Sequence, residues 1–362
     1  MNGGSQPPAR RADVAERAGV SPAVVSYVLN GGPRKVSPDT RDRVLKAVRD
    51  LDYRPNHVAR SLRTQRTMTI GLIVPDLANP FFTELMHSIQ REAFESSLAL
   101  MVGDSGEDGA LQEQYIRSFV ERRVDGLILL PAHAGMSGLE HLKERGLPWV
   151  AIDRYVPGGA EVATVMVGNW EGGFQATNHL LEHGRRRIGC IAGPANVRST
   201  VERVSGWRSA MTSRGIEPEN HLLRHAVFQR AAGYRETTRM IESAEVDAIF
   251  CASDEQALGV MRALNDLGLR CPEDVALVSF DGIPTGADVT PSLTTMAQPF
   301  AEIGRAAVER LIERIADPGR MSAATLLPVH LVRRESCGCA ATDRDDYTVS
   351  LYRAITRRDH PS

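Results

Sequence analysis

Long apolar runs are missing from this 362-residue chain. None approaches 18 consecutive apolar residues, so no membrane-spanning helix is expected. The first 11 residues are rich in Gly, Pro and Arg and carry no apolar core, which argues against a secretory signal and leaves a cytoplasmic protein as the expectation. Cysteine is sparse and odd in number (Cys190, Cys251, Cys271, Cys337 and Cys339). That suits reduced, mostly buried thiols and excludes a disulfide framework. Cys337-Gly338-Cys339 offers two ligands where zinc takes four, so no metal site is expected and the pair reads as reduced thiols near the end of the last strand. No cofactor is expected either. There is no GxGxxG after the first strand-like run, no P-loop and no GxSxG, and no motif forces a catalytic His/Asp/Ser arrangement, so the chain does not read as an enzyme.

An excess of charge of one sign is also missing: 43 Lys and Arg face 45 Asp and Glu, a net −2. Taken whole, that argues against a nucleic-acid partner. Divided after residue 66, it does not. Residues 1–66 hold 13 basic and 6 acidic side chains, a net +7, and the rest carries −9. A small basic module that suits phosphates is fused to a larger acidic body.

After residue 68, short runs rich in Ile, Val and Leu occur at 70–74, 126–130, 150–152, 188–191, 248–251 and 275–280. Amphipathic stretches lie between them at 81–96, 112–122, 170–183, 201–213, 234–243, 255–267 and 300–315. Buried strands alternating with helices predict an α/β fold with parallel sheets covered on both faces. Ligands in such folds sit beyond the carboxyl ends of the strands. The residues there include Asp153-Arg154, Ser253-Asp254 and Asp281-Gly282.

The first 66 residues contain only short helical patterns. A helix over 12–18 buries Val14, Ala15 and Ala18, and Gly19 turns the chain. Ser21-Pro22 and Ser37-Pro38 each pair an N-cap with a proline suited to the first helical turn. The second helix turns Val25, Val28 and Leu29 inward; the third has Val44, Leu45, Val48 and Leu51 as its stripe. This is a helix-turn-helix, whose second helix enters the major groove by its N-terminal residues, here Pro22, Ala23 and Tyr27. Ser21 and Ser26 suit phosphate contacts, and Asn30 suits a phosphate contact or the helix end. Residues 55–63 form a basic two-turn segment too short to be helical alone.

Several motifs in order resemble the lactose-repressor/galactose-repressor family of bacterial transcription regulators. They include Asp13-Val14-Ala15 with Val25-Ser26-Tyr27, Tyr53-Arg54-Pro55-Asn56, Asn79-Pro80-Phe81-Phe82, Ile152-Asp153-Arg154, Ser253-Asp254-Glu255, Phe280-Asp281-Gly282 and Arg334-Glu335-Ser336. The resemblance spans about residues 11–338. It implies an N-terminal all-α helix-turn-helix headpiece plus an α/β two-lobed, periplasmic-binding-protein-like (type I) domain. It also implies a homodimer, or a tetramer, on pseudo-palindromic operator DNA, with a small-molecule effector between the lobes. The implied organisation is a flexible N-terminus (1–10), the DNA-binding domain (11–66) with a hinge helix at about 55–63, an effector-binding and dimerisation domain (67–338) and a mobile tail (339–362). The N-lobe takes about 68–163 and 292–323, the C-lobe 164–291 and 324–338.

Family members often carry Arg where this chain has Tyr27 and Thr where it has Val24. A bidentate arginine–guanine contact is therefore unavailable from Tyr27, which offers one hydrogen bond or packing on a thymine methyl. The family's hinge leucine, an apolar wedge in the minor groove, corresponds to Leu62, with Asn56, Ala59 and Arg60 beside it. The resemblance puts Phe81, Phe82 and Phe228 on the walls of the effector site, with Arg203, Asp281, Asp153, Ser253 and Asp254 as its polar groups. Asp254 reads equally well as a helix-capping residue. An arginine and carboxylates around aromatic faces suit sugar hydroxyls, and equally a purine or nucleoside; the expected effector is a carbohydrate.

Overall fold

The structure is a computed structural model that describes residues 9–30, 35–54, 66–132, 138–154, 156, 163–319 and 324–339. The hinge segment with Asn56, Ala59, Arg60 and Leu62, and the tail beyond 339, lie outside the described residues, as does the side chain of Asn30. The chain forms two compact units that divide between Thr67 and Met68.

Among its described residues the first unit holds three helices: α1 (Arg11–Ala18), α2 (Pro22–Asn30) and α3 (Pro38–Asp50). Asp13 accepts a hydrogen bond from the Arg10 amide at 2.7 Å and so closes the start of α1. Gly19, at φ +64°, ends α1 in the left-handed turn that leads into α2. Ser37 Oγ accepts from the Thr40 amide, and Pro38 opens α3, as its cap sequence predicts. Val14, Ala15, Ala18, Val25, Val28, Val44 and Ala47 form the core, with Val24 and Tyr53 packed at its margin.

The second unit has two six-stranded sheets. The first contains β1 (Thr69–Val74), β2 (Ala99–Asp104), β3 (Gly126–Leu129), β4 (Trp149–Ile152), β5 (Ala163–Val167) and β11 (Thr325–Leu327), in the order β11-β5-β4-β3-β1-β2, all parallel. The second contains β6 (Ile188–Ala192), β7 (Leu223–His225), β8 (Ala248–Cys251), β9 (Ala276–Asp281), β10 (Thr295–Ala297) and β12 (His330–Val332), in the order β12-β10-β9-β8-β6-β7, with only the β10–β12 pair antiparallel. The helices that position the site are α4 (Pro80–Glu95), α7 (Asn169–Glu182), α8 (Arg198–Ser213) and α10 (Asp254–Asp266). The earlier α5 (Gly109–Glu121) and α6 (Leu139–Arg145), with α9 (Arg230–Ser243), α11 (Thr285–Asp288) and α12 (Phe300–Ala316), complete the layers.

The sheet pairing corrects the expected lobe boundaries. β5 and β11 belong to the first sheet, where Thr325 pairs with Val165; β10 belongs to the second, where Thr295 pairs with Ser279. The chain crosses between lobes three times: after β5, between β10 and α12, and between β11 and β12. These strands are three to five residues long, too short for a period of their own, and hydrogen bonding to a neighbour decides which sheet each joins. Among the described residues no helix is long and apolar enough to cross a membrane.

Candidate functional site

The two sheets present the carboxyl ends of their strands to one cleft, lined by Asn79, Phe81, Phe82, Asp153, Arg154, Ser199, Arg203, Phe228, Ser253 and Asp281. On the N-lobe side, Asn79 Oδ1 accepts from the Phe81 amide at 3.0 Å, and Pro80 opens α4. This N-cap fixes Phe81 and Phe82 in the first turn, edge to face with centroids 5.0 Å apart. Asn79 Nδ2 reaches across to donate to the Phe228 carbonyl at 3.4 Å.

On the C-lobe side, Arg203 is buried on α8. Its Nε donates to Asn169 Oδ1 at 2.8 Å and its Nη1 to the Ala252 carbonyl at 2.6 Å. The same Nη1 lies 3.5 Å from Asp281 Oδ1, and the guanidinium stacks 3.7 Å over the ring of Phe280. α7 and α8 approach so closely that a Cβ at Gly173 would sit 2.3 Å from the Arg203 carbonyl oxygen. Glycine there lets the Arg203 backbone sit against α7, within reach of Asn169.

Both site aspartates follow strands with positive φ: Asp153 at +64° after β4 and Asp281 at +121° at the end of β9. Aspartate tolerates this region better than most side chains, and such strain collects at binding sites. Burial pushes the Asp281 carboxyl well above the ordinary aspartate range, and the charges of Asp254 and Asp153 add to it against the pull of Arg203. Gln298 Nε2 donates to Asp281 Oδ1 at 2.9 Å.

The cleft itself has room for about 20 Å³, roughly one water. Outside it lies a wider cavity of about 540 Å³ that shares Asn79, Phe82 and Phe228. A ligand of several heavy atoms therefore enters the inner cleft only if the lobes part.

Seven of the eight effector-site residues expected from the sequence line this cleft: Phe81, Phe82, Asp153, Arg203, Phe228, Ser253 and Asp281. Asp254 does not. Ser253 is the N-cap of α10, accepting from the Gln256 amide. Asp254 turns inward, where it accepts from Ser279 Oγ, Thr295 Oγ1 and the amides of Gly282 and Ile283. It braces the turn that carries Asp281. Burial raises its carboxyl pKa against those four hydrogen bonds. Three lining residues escaped the sequence reading: Asn79, Ser199 and Arg154. Arg154 was signalled only by its place beside Asp153 after a strand. Its Nε is buried with no hydrogen-bond partner among the described residues.

In the first unit, Ser21, Pro22 and Ala23 are exposed at the start of α2, while Val25 and Val28 point into the core. Ser26 and Tyr27 are half-buried. Ser21 Oγ accepts from the Val24 amide at 3.4 Å, a long contact at the N-cap position. Val24 packs against the core.

Residues 12–56 match the family described as bacterial regulatory proteins, lacI family, and residues 177–337 match the periplasmic binding protein-like domain. The chain is 34% identical over 307 residues to the HTH-type transcriptional repressor PurR of Aliivibrio salmonicida, covering 84% of this chain and 92% of that protein. Among solved structures, the transcriptional regulator CelR–cellobiose complex is similar with a TM-score of 0.71 and 33% identity, over 91% of this chain and 99% of that one. The lac repressor dimer bound to operator and the anti-inducer ONPF is similar with a TM-score of 0.79 and 28% identity, also over 91% and 99%.

Proposed function

Since this chain belongs to the lacI family of bacterial regulatory proteins, we propose that it is a transcriptional repressor whose operator affinity is set by a small sugar held between its two α/β lobes. The observation that carries the sugar assignment is the composition of the cleft: Asp153 and Asp281 as hydroxyl acceptors, Arg154 Nε as a buried donor that makes no hydrogen bond and lies 3.8 Å from Asp153 Oδ2, and Phe81, Phe82 and Phe228 as apolar walls. Carboxylates that accept two hydrogen bonds each, beside aromatic faces, match the alternating O–H and C–H faces of a sugar ring. The relative solved with cellobiose supports the same ligand class.

The DNA partner is a pseudo-palindromic operator, and the functional unit is a homodimer, because two-fold protein symmetry matches two half-sites. The relative solved as a dimer on its operator supports this. Pro22, Ala23 and Tyr27 read bases; Ser21, Ser26 and Asn30 hold phosphates; Leu62, flanked by Asn56, Ala59 and Arg60, wedges the minor groove. Because the closed cleft holds about one water, an effector parts or rotates the lobes, and that motion biases the hinge segments on DNA. A coupling of about 1–3 kcal/mol between the two sites suffices for regulation.

The test has two stages. In vitro selection on random DNA is expected to return a symmetric site that binds the full chain as a dimer. A thermal-shift screen against sugars and nucleosides is then expected to return a sugar that also changes operator affinity. Selection of no symmetric site overturns the regulator reading. Stabilisation by nucleosides alone overturns the sugar.

A further inference from the structure

The CxC pair, short of ligands in the sequence, gains two in the fold. His179 and His183 stand one helical turn apart at the end of α7, on one face. The chain after β12 passes through a single 3₁₀ turn, Glu335–Cys337, and Gly338 then adopts φ +94°. That left-handed turn brings both thiols toward the histidines. Cys337 Sγ lies 3.2 Å from His179 Nε2; Cys339 Sγ lies 3.6 Å from His179 Nε2 and 3.4 Å from His183 Nε2. All four ligand atoms fall within 4.8 Å of one another.

We propose that His179, His183, Cys337 and Cys339 form a zinc site of Cys2His2 type that pins the segment after β12 to α7. Tetrahedral zinc with bonds of about 2.3 Å to sulfur and about 2.0 Å to nitrogen separates S from N by about 3.5 Å. The three S–N separations lie within a few tenths of an ångström of that value. Two thiolates and two imidazoles are the soft, tetrahedral set that selects zinc over magnesium, calcium or manganese.

The four ligands leave no open coordination position, so the role is structural rather than catalytic. None of them lines the effector cleft. The surroundings are organised: Thr294 Oγ1 donates to Cys337 Sγ at 3.1 Å, holding the thiol toward the histidines. His179 and Cys337 are buried while His183 is exposed and Cys339 half-buried, which gives an ion a path in. The ion would join residues some 160 positions apart in sequence.

The experiment uses the full chain under a thiol reductant that does not chelate. Metal analysis of protein grown with zinc is expected to find one zinc per chain. Titration of the metal-free chain with cobalt(II) is expected to give the thiolate charge-transfer band and the intense visible bands of a tetrahedral site. Zinc is expected to raise the melting temperature by roughly 5 °C over the metal-free chain. The paired His183→Ala, Cys339→Ser variant, changed at the two less buried positions, is expected to keep its circular dichroism and operator binding and to lose both metal signals. Weak octahedral cobalt bands with the reduced wild-type chain overturn the proposal. So does a folded variant that retains stoichiometric zinc. Should the variant not fold, the cobalt spectrum of the wild-type chain decides.

Discussion

Arg154 grips Glu107 with both ends of its fork, Nη1 to Oε2 at 2.7 Å and Nη2 to Oε1 at 2.6 Å, and so ties the segment after β2 to the segment after β4. Nη1 also donates to the Pro131 carbonyl at 2.7 Å. The pair is shielded, with side-chain exposures of 7% for Arg154 and 29% for Glu107. Glu107→Ala removes the bidentate partner and leaves the buried guanidinium only Asp153 Oδ2, 3.8 Å from its Nε; with that anion and the solvent at Glu107 tempering it, the expected loss is about 2 kcal/mol. Urea unfolding checks this. A loss under about 0.5 kcal/mol would place the pair among ordinary surface ion pairs.

Asp281→Asn is expected to leave operator affinity unchanged and to raise the effector concentration for half-response by roughly 10–100-fold, as expected for one hydrogen bond lost in a buried site. A titration of operator release against effector reads both quantities. An unchanged midpoint removes Asp281 from the ligand's contacts.

The same variant carries a pH signature. Burial raises the Asp281 carboxyl in the folded chain, so its contribution to stability is full in acid, below the unfolded aspartate value. That contribution is lost as the pH rises through the folded value. Asparagine does not titrate. The melting-temperature advantage of wild type over Asp281→Asn is therefore expected to shrink or invert as the pH rises above the unfolded aspartate value of about 3.9. An advantage that grows across that range would mean that Arg203 outweighs burial.

Asp254→Ala strips four donors of their acceptor: two hydroxyls and two amides. The expected cost is about 3–5 kcal/mol, measured by denaturant unfolding. Because Asp254 braces the Asp281 turn without lining the cleft, saturating effector is expected still to shift operator binding. Outright loss of response in a folded variant would return Asp254 to the binding set.

Tyr27 substitutions are expected to change the preferred base at one symmetric pair of operator positions, each correct contact being worth about 1–3 kcal/mol. Selection experiments on Tyr27→Arg and Tyr27→Ala test this. An unaltered consensus would reduce Tyr27 to a backbone contact.

The parts of this architecture that the sequence announces are those with local chemistry. Ser37-Pro38 and Asn79-Pro80 each supply an acceptor at the cap and a proline in the first turn, and helices start at both. The runs that became β1, β3, β4, β6, β8 and β9 are fully or almost fully buried and accordingly apolar. β2 passed unnoticed because it is an edge strand, half-exposed, with mixed residues. β10 and β11 fall on the other side of the expected lobe boundaries because three residues carry no period. Ser253 and Asp254 are adjacent and chemically similar, and only the backbone's rotation at the start of α10 sends one to the cleft and the other inward. The histidines facing Cys337 and Cys339 are invisible to any local reading, since α7 meets the segment after β12 only in three dimensions.

The three crossings between the lobes have a mechanical consequence. Two bodies joined by a single thread can drift, slide and twist; joined at three places by short links, they are limited to hinge and shear motions. On the proposed function, an effector in the cleft is reported as the angle to which it props the two lobes.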